Sequence, residues 1–503
     1  MPGMRLRTLL VALLFTATGQ AAPATFTFAR GADSQKLDPA DVDDGESIKV
    51  LVNICEGLVR FKTGTAAIEP CLATSWTITP DGLTYTFQLR QGVKFHDGTP
   101  FDATTALVTF QRQMDKNHPT HPKNGTFAYW ASMYSMVESV TAPDAGTIVF
   151  KLREPHAPFL ADLAIFPAAI ISPKFIDQQH PVGTGPFRFV EWQPNESITL
   201  EANPGYWAGK PKLDRLVFKV VPDSATRLIQ LQTGQIQGMD GIDPVDLPVI
   251  KKDKALQLIT ADGLNVAYLA INCEKITDKN LRRTIAAAIN KKDILAAVYR
   301  GSATIAKNPL PPKLLGYNDA IPVQLPPPAT NYHLPTPLHL EVMTNPRPYL
   351  PNPMRAAELI KADLAKAGIP VEIVPNEFGS HLSRTSRGEH QLALLGWVGD
   401  NADTDNFLYV LLDKDTTTLG SALNICFWKN EPYHDLMIAA RRETDPAKRA
   451  ALYRKAQEII AEEVPMVPLA HSPSMAATRT SVTGLEFEVN GDLNFRRVVL
   501  NGL

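Results

Sequence analysis

Residues 339–378, HLEVMTNPRPYLPNPMRAAELIKADLAKAGIPVEIVPNEF, hold the pattern that decides the fold. The segments 339–344 and 371–378 are apolar runs typical of strands, and 354–369 between them has the apolar spacing of an amphipathic helix. A further apolar run, QLALLGW at 391–397, follows. Strand, helix and strand in this order predict an α/β layer with mainly parallel strands.

The chain N-terminal to this layer has a different pattern. Alternating residues flank a Pro-Asp-Gly turn in 74–95, and a similar arrangement recurs in 139–152, so both stretches predict hairpins. Residues 45–61 have helical spacing, and Asp102 is placed to cap a second helix. The run GLNVAYLAIN at 263–272 is typical of an apolar strand between domains.

Length and composition bound the class of protein. A chain of 503 residues is too long for one core and predicts two or three domains. With 44% hydrophobic and 20% charged residues and a net charge of −2, it has an ordinary globular composition. No basic run favours a nucleic acid or an anionic membrane as a partner.

The N-terminus has the order of a secretory signal peptide over residues 1–24. MPGMRLR carries two arginines, TLLVALLFTATG is apolar, and GQAAPAT supplies small residues. Twelve apolar residues are too few to span a bilayer, so we expect an exported, soluble protein. The four cysteines, Cys55, Cys71, Cys273 and Cys426, either form bridges there, with Cys55 and Cys71 as a candidate pair, or are small buried residues.

A cluster of acids and amides, GWVGDNADTDNF at 396–407, includes the end of the last predicted strand. Counted from Asn401 it fails as a calcium loop, because the sixth place is Asn406 instead of glycine and the twelfth is Leu412 instead of glutamate. No G-x-S-x-G, H-E-x-x-H or Walker motif supports a catalytic carboxylate. A turn, in which side chains bond to the local backbone, explains most of the cluster.

Asp400 is the exception, since it directly follows Gly399 at the end of the strand. Ligands of α/β sheets bind at the carboxyl ends of strands, and a partly desolvated acid there requires a cationic partner. Arg347 lies just past the strand of 339–344 between two prolines that stiffen the backbone. Arginine binds carboxylates bidentately. Arg347 and Asp400 therefore either clamp a zwitterion or pair with each other or with neighbours, and the residues alone leave both open.

Several further motifs resemble the periplasmic dipeptide- and oligopeptide-binding proteins, the solute-binding components of ABC transporters, and especially their dipeptide-binding branch. The resemblance covers nearly the whole chain after the signal peptide and rests above all on FHDGTPF, GTGPF, NPGYW, RPY and GWVGD. It implies an α/β fold with three domains in two lobes: a type II, Venus-flytrap periplasmic binding protein whose hinge strands let the lobes close on a ligand. The expected boundaries are 25–57, 181–262 and 474–503 for domain I, 58–180 for domain II and 263–473 for domain III.

The resemblance also implies a ligand site. Asp400 matches the acid that receives the α-ammonium group of the ligand, and Arg347 matches the arginine that receives its carboxylate. The other expected site residues are Tyr349, Phe378, Trp397, Gly399, Asp33 and Ser34. Core packing is the alternative for the aromatic members of this set.

We therefore expect a binding protein without catalytic activity, cofactor or metal. It would capture dipeptides or short peptides as a monomer in the periplasm and pass them to an inner-membrane ABC permease, without contacting nucleic acid. Related proteins bind haem or glutathione, so the same fold with one of these ligands is the alternative, and a secreted hydrolase is the remote one.

Two departures from the family pattern bear on these expectations. The dipeptide branch often has two cysteines where this chain has Asp413 and Lys429, and Cys426 is displaced from either place. The Pro-rich stretch 322–337 replaces the helix that usually precedes the strand of 339–344. The second change would alter the outer surface of domain III or its contact with the permease.

Overall fold

The computed structural model describes residues 23–123, 125–174, 179–324, 326 and 332–502. The predicted signal peptide therefore lies outside the described residues except for its last two positions, and part of the Pro-rich stretch 322–337 lies outside them as well. Three sheets of four or more strands organise the described chain, and we number them first to third.

The first sheet draws its seven strands from distant parts of the chain. In spatial order they are Leu256–Ala261, Ser474–Arg479, Gly238–Met239, Thr25–Arg30, Arg215–Val220, Ser197–Ala202 and Phe187–Gln193. Thr25–Arg30 runs parallel to both of its neighbours. The rings of Phe26, Phe28 and Phe218 pack around Phe495 with centroid distances of 5.3–5.7 Å. The two ends of the described chain thus share one aromatic core.

The third sheet is the hairpin region predicted from the turn signals. Its antiparallel strands lie in the order Ala73–Ile78, Thr84–Leu89, Thr147–Leu152 and Val137–Asp144. The Asp102 carboxylate accepts a hydrogen bond from the Thr105 N–H at 2.8 Å and caps helix Ala103–Met114. Both hairpins and the capped helix are confirmed.

The second sheet contains the strands of the opening stretch. Its order is Thr304–Ile305, Met466–His471, Asn265–Ile271, Leu392–Val398, Leu338–Met343 and Val371–Asn376. Leu338–Met343 is parallel to both neighbours, which confirms the parallel arrangement predicted for the strands of 338–395. The other three pairings of the sheet are antiparallel, so the layer as a whole is mixed. Helical crossovers keep the strands of 338–398 parallel. Asn265–Ile271 and Met466–His471 instead connect to the first sheet and enter the layer antiparallel.

Two short connections, 262–264 and 472–473, join the first sheet to the second. Asn265 fastens them together, since its Nδ2 donates to the Ser472 carbonyl at 2.7 Å and its Oδ1 accepts from the Ser472 N–H at 2.9 Å. The strands that follow or precede these connections in the second sheet are buried throughout. The two-lobed α/β class with connecting strands is confirmed, while the individual domain boundaries remain a prediction.

Helices cover these sheets: Gly45–Leu51, Ala103–Met114, Ala128–Met133, Phe159–Asp162, Ser224–Thr233, Leu247–Lys252, Lys279–Ala288, Lys291–Tyr299, Pro353–Lys366, Phe378–Ser386, Asp405–Leu412, Glu431–Arg442 and Pro446–Glu463. The predicted helix over 45–61 ends at Leu51. The chain then turns through Gly57, and Val59–Phe61 pairs with Ile68–Pro70. Short paired strands near the C-terminus complete the fold: Val482–Thr483 with Val499–Leu500, and Glu486–Phe487 with Leu493–Asn494. None of the helices described here has the length and apolar character needed to cross a bilayer.

The four cysteines are all free thiols, and three of them are buried. At the place where the resemblance implies a bridge, Asp413 instead accepts from Nδ1 of His434 at 2.9 Å. Asp415 completes a group of three side chains whose potential metal-ligating atoms lie within 4.8 Å of one another. A carboxylate–imidazole contact thus links the segment after helix Asp405–Leu412 to helix Glu431–Arg442.

Candidate functional site

Asp400 lies just past strand Leu392–Val398, as the sequence indicates. Its Oδ1 accepts a hydrogen bond from the Tyr129 hydroxyl at 2.8 Å, and its Oδ2 accepts one from Asn406 Nδ2 at 3.3 Å. Burial raises the pKa of the Asp400 carboxyl, and these two hydrogen bonds lower it in part. No ion pair joins Asp400 to a basic side chain among the described residues. The carboxylate is therefore partly desolvated and held by neutral donors, which suits it to accept a cationic group.

A compact turn fixes the direction of Asp400. The Asn406 side-chain oxygen accepts from the Asp400 N–H at 3.0 Å and from Nε1 of Trp397 at 2.9 Å. Gly399 is buried, and a Cβ at this position would lie 2.7 Å from the Phe407 ring. The strand therefore passes into helix Asp405–Leu412 with no room for a side chain before the acid. Trp397 holds the turn in place, and its role in a ligand wall stays a prediction.

The other acids and amides of this cluster have partners within the protein. Asp403 accepts two hydrogen bonds from Arg449 at 2.7 and 2.8 Å, and Asp405 lies 3.4 Å from the Arg441 guanidinium. The Asn401 side chain accepts from the Asp403 N–H at 3.0 Å, as the turn hypothesis predicts. Two of the three carboxylates in the cluster are thus neutralised by arginine. Asp400 differs from them because it has no such partner.

Arg347 lies in the loop between Leu338–Met343 and helix Pro353–Lys366. Its backbone N–H donates to the Leu350 carbonyl at 3.1 Å, and its carbonyl accepts from the Leu350 N–H at 2.9 Å. The guanidinium group stacks on the Phe378 ring at 4.1 Å, and Nε is buried without a hydrogen-bond partner. In the described part of the chain no carboxylate, Asp400 included, forms an ion pair with Arg347. The interpretation in which Arg347 and Asp400 neutralise each other is therefore wrong for this structure.

Tyr349 lies beneath this loop. Its side chain is 5% exposed, and its hydroxyl contacts Met343 Sδ at 3.9 Å. The Tyr349 carbonyl accepts from the Tyr299 hydroxyl at 2.6 Å. A Cβ at Gly396 would overlap the Tyr349 ring. Tyr349 therefore packs the Arg347 loop onto strand Leu392–Val398, and its part in ligand contact remains a prediction.

Asp33 and Ser34 lie in the loop that follows strand Thr25–Arg30 of the first sheet, and their side chains bond to neighbouring residues. Arg30 donates to Asp33 Oδ1 at 2.9 Å and to the Ser34 hydroxyl at 3.0 Å. Asp33 Oδ2 accepts from Trp192 Nε1 at 3.0 Å and from the Asn195 N–H at 2.7 Å. These contacts show that both residues stabilise the local structure. Their role in ligand binding stays a prediction that none of these contacts supports.

Sequence reasoning missed the residues that reach the site from the hairpin region. Tyr129 belongs to the short helix Ala128–Met133 and donates to Asp400, and Asp162 accepts from Asn401 Nδ2 at 2.5 Å. Asp162 also lies 3.0 Å from His156 Nε2. The aromatic run FAYW at 127–130 indicates a buried surface. It does not indicate that Tyr129 contacts Asp400, which is 271 positions away in the sequence. The region of the third sheet thus contacts the acidic cluster through two side chains.

The comparisons with known proteins agree on one family. A model of the bacterial extracellular solute-binding proteins, family 5 (middle part), matches residues 67–418. The dipeptide-binding protein of Escherichia coli K12 is 37% identical over 471 residues, which are 88% of each chain. Heme-binding protein A of Haemophilus influenzae is also 37% identical, over 491 residues that make up 92% of this chain and 89% of that protein. The structure of the periplasmic binding protein DppA from Helicobacter pylori with the peptide STSA is 37% identical, with a TM-score of 0.80 over 95% of this chain and 98% of the other.

Proposed function

Because the chain belongs to the bacterial extracellular solute-binding proteins of family 5, we propose that it captures dipeptides or short peptides for an ABC importer. In this proposal Asp400 receives the α-ammonium group of the peptide and Arg347 receives the α-carboxylate. One observation carries it. Leu338–Met343 and Leu392–Val398 are parallel neighbours, so the unpaired cation and the unpaired anion follow strands that end at the same edge of one sheet.

Charge and geometry support a zwitterionic ligand over a neutral one. A buried carboxylate without a cation is costly, and an ammonium group that hydrogen-bonds to it removes that cost. The Arg347 guanidinium can bind a carboxylate bidentately while its face rests on Phe378. Micromolar affinity requires about 8 kcal/mol. Two charge-assisted contacts and the exclusion of water by lobe closure are a sufficient source of that energy.

Haem is the second candidate ligand, because Heme-binding protein A of Haemophilus influenzae matches this chain with the same 37% identity as the dipeptide-binding relative. Haem iron requires an axial ligand such as histidine or tyrosine. Tyr349 is the residue that the sequence makes available, yet its ring is buried under the Arg347 loop and its hydroxyl faces Met343. The unpaired charges of Arg347 and Asp400 therefore favour a peptide over haem as the ligand. Glutathione, which also carries α-ammonium and carboxylate groups, is the closer alternative.

The remaining expectations follow from the same proposal. We infer a non-catalytic, monomeric protein that is exported by residues 1–24 to the periplasm and docks on an inner-membrane permease. The extracellular character of the family and the absence of enzymes among the relatives named above support this inference. Gel filtration with light scattering of the exported protein tests the monomer.

Calorimetric titration of the mature protein tests the ligand assignment. We expect Ala-Ala to bind, N-acetyl-Ala-Ala and Ala-Ala-amide each to bind at least about tenfold more weakly, and haemin to give no Soret shift. Asp400→Asn should weaken Ala-Ala binding at least about tenfold, and Arg347→Gln should do the same. Asp435→Asn and Arg355→Gln, which change exposed residues elsewhere in the same region, are the matched controls. Equal affinity for acetylated and free dipeptides would remove Asp400 as the anchor, and binding of glutathione or haemin alone would replace the ligand.

A further inference from the structure

A cavity of about 120 Å³ lies next to the candidate site. Phe166 forms part of its wall and meets the Tyr129 ring edge-on at a centroid distance of 5.0 Å. Tyr129 in turn donates to Asp400. Burial, then Asp400, and more weakly Asp43 and Asp492 raise the pKa of Tyr129, and Asp492 belongs to another part of the cavity wall. The Tyr129–Phe166 pair therefore connects the wall of the cavity to the carboxylate that is proposed to hold the peptide's N-terminus.

Two carboxylates from one hairpin line the cavity. Glu488 and Asp492 stand at either end of the tip that joins Glu486–Phe487 to Leu493–Asn494. Glu488 Oε1 accepts from an asparagine at 2.8 Å, but Oε2 is buried without a donor. Asp492 Oδ2 also accepts from an asparagine at 2.8 Å. Burial raises the pKa of Glu488 and raises that of Asp492 to about 6. Neither carboxylate forms an ion pair within the described residues.

The other charged residues of the wall leave an excess of negative charge. Glu56 is satisfied by hydrogen bonds from three side chains at 2.7–2.9 Å. Arg60 is paired with Glu69 at 2.8 Å. The charges of Arg496 and, more weakly, Arg60 lower the pKa of Glu488, and the charge of Lys49 lowers that of Asp492. Lys49 is paired with Glu46 and Asp240, whereas Arg496 has no ion pair in the described structure. Two unpaired carboxylates thus face one unpaired guanidinium.

Apolar residues form the other walls of the cavity, among them Leu51, Val52 and Ile165. Long basic side chains bury their methylene stems along such surfaces while the charged end makes polar contacts. An apolar side chain would leave the Glu488 Oε2 atom without a partner, whereas a cationic group would donate a hydrogen bond to it and also balance its charge. The chemistry of the cavity therefore matches a basic, flexible side chain.

We propose that this cavity accepts the side chain of lysine or arginine at the first position of a bound peptide, with its charged group between Glu488 and Asp492. The inference rests on the proposed function, because it requires the N-terminus of the peptide to bind Asp400, whose partner Tyr129 contacts the cavity wall at Phe166. It deepens that function by naming a class of substrate: peptides with a basic first residue.

The experiment compares four dipeptides by calorimetric titration: Ala-Ala, Lys-Ala, norleucyl-Ala and Ala-Lys. Norleucine retains the apolar stem of lysine without its charge, and Ala-Lys carries the charge at the wrong position. We expect Lys-Ala to bind the unmodified protein at least about tenfold more tightly than norleucyl-Ala, with no comparable gain for Ala-Lys. In Glu488→Gln/Asp492→Asn the ratio of the Lys-Ala and norleucyl-Ala affinities should fall to within about threefold. Glu486→Gln, in the same hairpin but paired with Arg497, should keep the ratio.

The outcomes separate this inference from the function on which it rests. Binding of Ala-Ala with no preference for Lys-Ala over norleucyl-Ala would overturn the pocket and leave the peptide-binding proposal intact. The same result follows if Ala-Lys gains as much as Lys-Ala, or if the double variant retains the full ratio. Binding of none of the four dipeptides would overturn both. Since the comparison of Lys-Ala with norleucyl-Ala uses the unmodified protein, it decides the matter even if the double variant fails to fold.

Discussion

Two parts of the molecule place an arginine and an aspartate near the ends of strands and use them in opposite ways. In the first sheet, Arg30 is fully buried and donates to Asp33 at 2.9 Å. In the second sheet, Arg347 and Asp400 follow neighbouring strands, yet each lacks a charged partner among the described residues. The first pair completes the protein's own core. The second leaves opposite charges available to a molecule that carries both.

The physical origin of this difference is local. Arg30 and Asp33 are three positions apart in one turn, so they meet as soon as the turn forms. Arg347 is held by its stack on Phe378, and Asp400 by neutral donors from Tyr129 and Asn406. A stacked guanidinium and a carboxylate with neutral hydrogen bonds keep their charges without an ion pair.

Single replacements of Arg30 and Arg347 should give the largest expected difference in folding stability between the two regions. Arg30→Ala leaves Asp33 and Glu46 without their buried cation and should cost about 3–5 kcal/mol of folding stability. Arg347→Ala removes the stack on Phe378 and a contact with the Tyr349 hydroxyl, neither of which is a buried ion pair, and should cost only about 1–2 kcal/mol. Thermal unfolding of both variants without ligand measures the difference. Similar losses in the two variants would mean that Arg347 is also a structural residue.

Gly396→Ala tests whether the free charges depend on the packing beneath them. The added methyl group overlaps the Tyr349 ring, and such overpacking costs about 1–3 kcal/mol. Displacement of Tyr349 should carry the Arg347 loop with it and weaken dipeptide binding as well. Gly45→Ala is the control, because a Cβ at Gly45 meets nothing within 4 Å. Unchanged melting and unchanged affinity would show that the loop tolerates a shift of Tyr349.

Tyr129→Phe tests whether the neutral hydrogen bond from Tyr129 keeps Asp400 available to a ligand. Loss of one neutral hydrogen bond is worth about 1 kcal/mol, so dipeptide affinity at neutral pH should fall by about fivefold. Because the Tyr129 hydroxyl lowers the pKa of Asp400, its removal should also move the acid limit of binding to higher pH. Titrations at several pH values measure both effects. Tyr332→Phe is the control, since Tyr332 makes a similar hydrogen bond to Asp278 at 2.6 Å, and an equal effect there would argue against a specific role for Tyr129.

The smallest expected effect is the pH dependence of stability that Asp400 contributes. Burial raises its folded-state pKa above the ordinary value of 3.8, so the folded protein holds this proton over a range of pH in which the unfolded chain has lost it. The group therefore destabilises the fold progressively as pH rises from its ordinary pKa through the raised one. In the absence of ligand, Asp400→Asn should have the same melting temperature as the unmodified protein at about pH 4. At about pH 7 its melting temperature should be the higher of the two. A variant that melts lower at neutral pH would show that the charge is already compensated.

Much of the fold could be predicted because its signals are short-range. The turn of the first hairpin, the cap at Asp102 and the alternation of strand and helix over 338–398 each require residues that are close in sequence. The helix predicted over 45–61 begins at Gly45 but ends at Leu51, because apolar spacing continued past Gly57, where the chain instead turns into strand Val59–Phe61. The strands of 338–398 are parallel as predicted, but the sheet as a whole is mixed because two of its strands arrive from another sheet.

The sequence by itself determined the α/β pattern, the position of Asp400 at the end of a strand and the position of Arg347 between prolines. Only the tertiary structure decided that Asp403 is neutralised by Arg449 while Asp400 is not, that Tyr129 reaches Asp400 from the hairpin region, and that Glu488 and Asp492 face a cavity beside them. The reason is the range of the forces involved. Backbone propensities and capping act within a few residues, whereas the availability of a charge depends on which distant side chains and how much water the packed chain leaves around it.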